Sequence, residues 1–134
     1  AARYRAAIAA PVPGRCRRMT LDRAPAQLAD MLGFVRELRA IAAGHTLEVF
    51  VADRILNLAT EKLFINLGEA AQRLSDAERV AIGGVPWRQI IGLRNILAHG
   101  YERIDQETLY RTAATDLATV EEALVKALAA REQP

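Results

Sequence analysis

The sequence predicts an all-α fold, an up-and-down bundle of about five helices. Three observations predict it. Apolar residues recur at three- and four-residue steps along most of the chain. About half of the residues are apolar, with much Ala and Leu and few aromatics, and Ala and Leu lose little entropy in helices. Capping residues, glycines and prolines fall between the apolar stripes, and no segment shows a strand pattern or an internal repeat. At 134 residues the chain is read as one domain, long enough to bury a core without disulfides or metals.

The first helix is expected from Asp22, with Leu28, Met31, Leu32, Val35, Leu38 and Ala42 on one stripe. Gly44 ends it in the usual C-terminal way, and Thr46 is placed to cap the next helix. The second helix is expected to run unbroken over about 47–74. Its main stripe is Ala52, Leu56, Ala59, Leu63, Leu67, Ala70 and Leu74, widened by Val51, Ile55, Leu58 and Phe64. So apolar a helix suits the centre of a bundle, and its second apolar edge suits a subunit interface. Ser75 and Glu78 form a capping-box pattern for a short third helix. Gly83 and Gly84 break the chain, and Pro86 suits the first turn of a fourth helix carrying Trp87, Ile90, Ile91 and Leu97. Asp105 caps the last helix, where Leu109, Ala113, Leu117, Val120, Leu124 and Leu128 keep the stripe.

The net charge of +2 hides an asymmetry. Residues 1–19 hold Arg3, Arg5, Arg15, Arg17 and Arg18 and no acid, whereas the rest of the chain carries 13 basic and 16 acidic side chains. The high pI is thus mostly a property of that segment and is poor support for a nucleic-acid-binding body. Residues 1–19 are read as a basic extension, with Met19 as a candidate start, and 20–134 as the helical domain. The apolar run AAIAA is short and is followed by Pro11 and Pro13, unlike a secretory signal. The lone Cys16 makes no internal disulfide and no Cys-rich zinc site, so a reducing cytoplasm is expected. No run is long enough to span a bilayer.

Residues 94–101, RNILAHGY, concentrate the chemistry. Gly100 is placed to stop the fourth helix just after His99. The carbonyl end of a helix favours a protonated imidazole, and a histidine titrating near neutral pH suits acid–base catalysis. Arg94 offers a planar fork for a phosphate. The two lie five residues apart, about 140° around an ideal helix, so one subunit is not expected to assemble a full site from them. A two-fold dimer would bring together two copies of the helix. Taken alone, the same residues also allow a structural role, with Arg94 paired to an acid, Asn95 capping and His99 bound to backbone carbonyls. Arg88 and Arg103 add positive charge around the motif, where Glu102 is the only acid. A solvated arginine face reads the same way. Glu69 is placed either to hold Arg94 or Arg103 or to sit at the surface. No carboxylate or histidine cluster has metal-ligand spacing, so neither metal nor cofactor is expected.

The motif R-x4-H-x-Y at Arg94, His99 and Tyr101, with Asn95 after the arginine, resembles that of the HEPN superfamily, specifically its HepT-like branch. The stretches LGEAAQRL (67–74) and VPWRQIIGLRNILAHGY (85–101) resemble that family in type and order, over roughly residues 20–130. The resemblance implies a HEPN bundle, a homodimer and a metal-independent endoribonuclease toxin acting on tRNA or mRNA. Transesterification by the ribose 2′-hydroxyl would leave a 2′,3′-cyclic phosphate and a 5′-hydroxyl. His99 would be the general acid or base and Arg94 the transition-state clamp, with Asn95, Arg88 and Arg103 in supporting or RNA-binding roles. It further implies AMPylation of Tyr101 by an MntA-like nucleotidyltransferase antitoxin, blocking the phosphate site by bulk and charge. Two other functions compete: a non-catalytic HEPN module that docks a nucleotidyltransferase, and a plain helical dimerisation protein.

Overall fold

A computed structural model describes residues 23–100 and 104–132. The extension assigned to residues 1–19 and the expected helix start at Asp22 lie outside the described residues. Within them, all regular structure is helical: α1 (Ala24–Ala43), α2 (Leu47–Ala52), α3 (Arg54–Arg73), α4 (Asp76–Ala81), α5 (Trp87–His99), α6 (Gln106–Arg111), a π-helical stretch (Thr112–Asp116) and α7 (Leu117–Glu132). The all-α bundle is thus as expected. Its core is one cluster in which α3 packs on α1 and α5, and α1 also packs on α7. No described helix is long and apolar enough to cross a membrane.

Most of the expected boundaries are present, with the expected caps. Thr46 accepts from the Val49 amide at 3.2 Å. Ser75 and Glu78 form the reciprocal capping box, and Asp105 accepts from the amides of Glu107 and Thr108. Gly44 differs: it ends α1 at φ −85°, without the left-handed geometry of a glycine cap.

Two of the five expected helices are divided. The helix expected over 47–74 breaks at Asp53, whose backbone is extended (φ −101°, ψ 104°). Its carboxylate accepts from the Ile55 amide at 2.9 Å and the Leu56 amide at 3.1 Å, which caps α3 afresh. A short acidic side chain that binds the amides ahead of it offers the backbone an alternative to continuing the helix. The break also turns α2 so that Phe50 is buried against the Tyr110 ring, at a centroid distance of 5.3 Å. The expected stripe therefore holds in its second half, where Leu67, Ala70 and Leu74 are buried together with Phe64, and fails in its first half. Ala52 and Ala59 are exposed, while Thr60, Phe64, Leu67, Gly68, Ala70 and Ala71 are buried. Asp53→Ala is expected to cost about 1 kcal/mol of stability, the usual worth of such a cap, measurable as a lowered denaturant midpoint.

The last helix is interrupted by the π-helical stretch. Thr112 and Thr115 there donate their hydroxyls to the carbonyls of Thr108 and Arg111, four residues back, a bond that competes with regular helix geometry. The expected stripe nevertheless holds: Leu109, Ala113, Leu117, Val120 and Leu124 are buried.

Glu121 on α7 binds α1 through Arg39 (2.6 Å) and Arg36 (3.1 Å). The bonds from Arg39 and then Arg36 hold its carboxyl below the usual range. A carboxyl lowered by folding adds stability above its unfolded pKa and loses it as pH falls through the folded one. Glu121→Gln is therefore expected to melt below the parent at pH 7. The two melting curves should begin to draw together as pH falls below the ordinary glutamate range of about 4.3 and meet only once it has passed through the lowered folded value.

Candidate active site

The α5 helix starts after a turn in which Gly84 takes φ +85°. Pro86 precedes its first residue and accepts from the Ile90 amide at 3.0 Å. The Trp87 indole donates to the Ile82 carbonyl at 3.3 Å and pins the helix start. Buried Ile90 and Leu97 seat the helix in the core. Gly100 ends it in the left-handed region (φ 67°, ψ 13°), the conformation that only glycine adopts cheaply. His99 is therefore the last helical residue, at the carbonyl end, as the sequence predicts.

Helical spacing arranges the remaining polar residues. Arg88, Asn95 and His99, at steps of seven and four, share one stripe of α5, and all three are exposed. At 1.5 Å per residue the stripe is about 16 Å long. Arg94 lies about 100° to one side, toward α3. Its long side chain closes part of that angle, because Nη1 donates to the Asn95 side-chain oxygen at 3.1 Å. Nη2 donates to the Glu69 carboxylate on α3 at 3.3 Å. Of the two roles open to Glu69, the hold on Arg94 is the one observed. Arg94 and Asn95 are thus brought together, with His99 one turn further along. Arg88 stands at the far end of the stripe.

The seat of Arg94 is unusual. Gly68 lets α5 lie so close to α3 that a Cβ at position 68 would collide with the Arg94 Cβ. It would also stand 2.8 Å from the Arg94 Cγ and 3.1 Å from the Ile90 carbonyl oxygen. The Arg94 Nε is buried and has no acceptor among the described residues. An unsatisfied buried donor costs about 1–3 kcal/mol. An ion pair as accessible as this one, with its side chains 29% and 35% exposed, returns about 0–1 kcal/mol. Stability therefore does not account for the arrangement. The sequence reading missed Gly68. Its signal was a glycine inside a helical pattern, which costs about 1 kcal/mol relative to alanine and so calls for a packing reason.

Tyr101 and Arg103, the expected modification and RNA-binding residues, lie outside the described residues. A cleft of about 510 Å³ between α5 and the π-helical stretch is lined by residues such as Gln89, Leu93 and Thr112, not by Arg94, Asn95 or His99. Among the described residues no group of three or more His, Cys, Asp or Glu side chains is placed to hold a metal.

A family profile described as "Ribonuclease HepT-like" matches residues 31–127, from α1 into α7 and through the whole of α5. The chain belongs to the HepT-like ribonuclease family. It is similar to the protein named "Putative RNase MJ1380" of Methanocaldococcus jannaschii, with 31% identity over 68 residues, 51% of this chain and 62% of that one. It is also similar to "Putative RNase TTE0752" of Caldanaerobacter subterraneus subsp. tengcongensis, with 30% identity over 78 residues, 58% of this chain and 70% of that one. The match thus spans less than two thirds of the first relative's length. No solved structure matches the chain significantly. In this HepT-like chain, Arg94, Asn95 and His99 therefore lie within the matched region, on one helix end and mostly facing outward.

Proposed function

We propose that this HepT-like chain is a metal-independent endoribonuclease toxin whose site is completed by a second copy of itself. The observation that carries the reading is the outward-facing end of α5. There Arg94, tied to Asn95, stands beside the stripe that ends in His99, in a chain of a ribonuclease family. A neutral imidazole takes the proton of a ribose 2′-hydroxyl. The 2′ oxygen bonds to the adjacent phosphorus, the bond from phosphorus to the 5′ oxygen breaks, and an imidazolium returns a proton to the leaving oxygen. Two-fold pairing supplies one His99 for each role. The Arg94 guanidinium bears on the phosphoryl oxygens, where negative charge grows. That placement supplies cationic stabilisation from the chain's own side chain. Arg88, and Arg103 beyond the helix end, would hold flanking phosphates of a tRNA or mRNA.

The dimer has physical support in the apolar side chains exposed near the start of α3. Val49, Val51 and Leu58 are exposed, and Ile55 is 73% exposed. Large apolar side chains left exposed this close together in the chain suit burial against a partner. A nucleotidyltransferase antitoxin would silence the toxin by covering the site and by AMPylating Tyr101, two residues past His99. The added phosphate would repel the phosphate of RNA.

The test is incubation of the purified chain with RNA in EDTA. Cleavage leaving 2′,3′-cyclic phosphate ends is expected, with none on the same oligonucleotide carrying a 2′-deoxyribose at the cut site. Cleavage that needs a divalent metal, or that persists on the 2′-deoxy strand, would rule the mechanism out. An inactive protein whose Tyr101 is shown by mass to be unmodified would favour the docking module.

A further inference from the structure

Resting on that reading, we propose that Gly68 and Glu69 form the positioning element for the Arg94 clamp, with Glu69 as a positioning residue outside the R-x4-H-x-Y motif. Gly68 presents bare backbone to α5, and the first two carbons of the Arg94 side chain lie against it. An arginine stem normally has several rotamers open to it. This one is wedged between helices, with Nε sealed from solvent. The next residue on α3, Glu69, takes one N–H of Nη2, and Asn95 takes one of Nη1. The head is thus gripped from two helices while a second N–H on each terminal nitrogen remains for phosphoryl oxygens.

A carboxylate beside a catalytic arginine subtracts from the positive charge offered to substrate. Its benefit must lie in geometry, because a pair about one third exposed contributes little to folding. Orientation is the larger effect at a reacting centre, where a displacement of about 1 Å can cost about 100-fold in rate. The Gly68 contact and the Glu69 bond constrain different parts of the same side chain, its root and its head, and together they fix the guanidinium relative to Asn95 and His99.

The experiment compares the full chain with Glu69→Ala and Glu69→Gln. It measures steady-state cleavage of a short RNA, thermal melting, and the order of the Arg94 Nε–H by side-chain NMR. In Glu69→Ala, kcat should fall by about 10- to 100-fold with KM little changed, the Arg94 Nε–H should become disordered, and melting should stay near that of the parent. Glu69→Gln keeps an acceptor oxygen and should recover most of both kcat and order. An Arg94 as ordered in Glu69→Ala as in the parent overturns the proposal. So does an unchanged kcat, or a loss of kcat that follows melting and that glutamine does not rescue. If the parent cleaves no RNA, the nuclease reading fails by itself, and the NMR comparison still decides whether Glu69 holds Arg94.

Discussion

His99→Ala should abolish detectable RNA cleavage while leaving the fold in place. General acid–base catalysis contributes about 100- to 10,000-fold at a single centre. In a two-fold site the substitution would remove both imidazoles at once, the one that takes the 2′ proton and the one that returns a proton to the leaving oxygen. The side chain is exposed at the end of α5, so its removal opens no core cavity of the kind that unfolds a domain. Cleavage of a fluorogenic RNA and a melting curve, taken on the same preparation, separate the two effects. Full activity in a folded His99→Ala protein would refute the assigned chemistry. An inactive variant that has also lost its melting transition would indicate a structural role.

Arg94→Ala should reduce kcat by about 100- to 1,000-fold, the usual cost of losing one preorganised donor to a developing oxyanion. Arg94→Lys should recover only a small part of that loss. A lysine is a point charge on a flexible stem and cannot keep donors on both Glu69 and Asn95 while facing a phosphate. The alanine variant removes a buried donor that has no acceptor among the described residues as well as a weak ion pair, so its stability should lie close to the parent's. A kcat within about threefold of the parent in either variant, measured at saturating RNA, would remove the clamp from the mechanism; the bound is far below the expected loss.

Much of this was legible in the sequence because its signals are local. The stripe through Leu28, Met31, Val35 and Leu38, the capping box at Ser75 and Glu78, and the stop at Gly100 each depend on residues within a turn or two of one another. The break at Asp53 was less legible. An aspartate in a long apolar pattern reads as a solvated surface residue, and its capping role shows only once Phe50 has a place beside Tyr110. The same holds for the π-helical stretch, whose threonines look like ordinary helix-surface residues. At the site, the helix end and the position of His99 followed from spacing. The bridge from Arg94 to Asn95 did not, since ideal helical angles ignore how far an arginine can bend. The Gly68 contact depends on how closely α3 and α5 cross, which no single helix records.

That crossing has a genetic consequence. The conflict a larger residue at position 68 would meet begins at the β-carbon of residue 94, an atom that every amino acid except glycine carries. Trimming Arg94 to alanine would leave it in place. A lesion at Gly68 therefore has no intragenic suppressor at position 94 that retains a side chain there. In a selection for restored function, true reversion to glycine is the expected class, because the one substitution at 94 that removes its β-carbon also discards the arginine and leaves the Ile90 carbonyl 3.1 Å away.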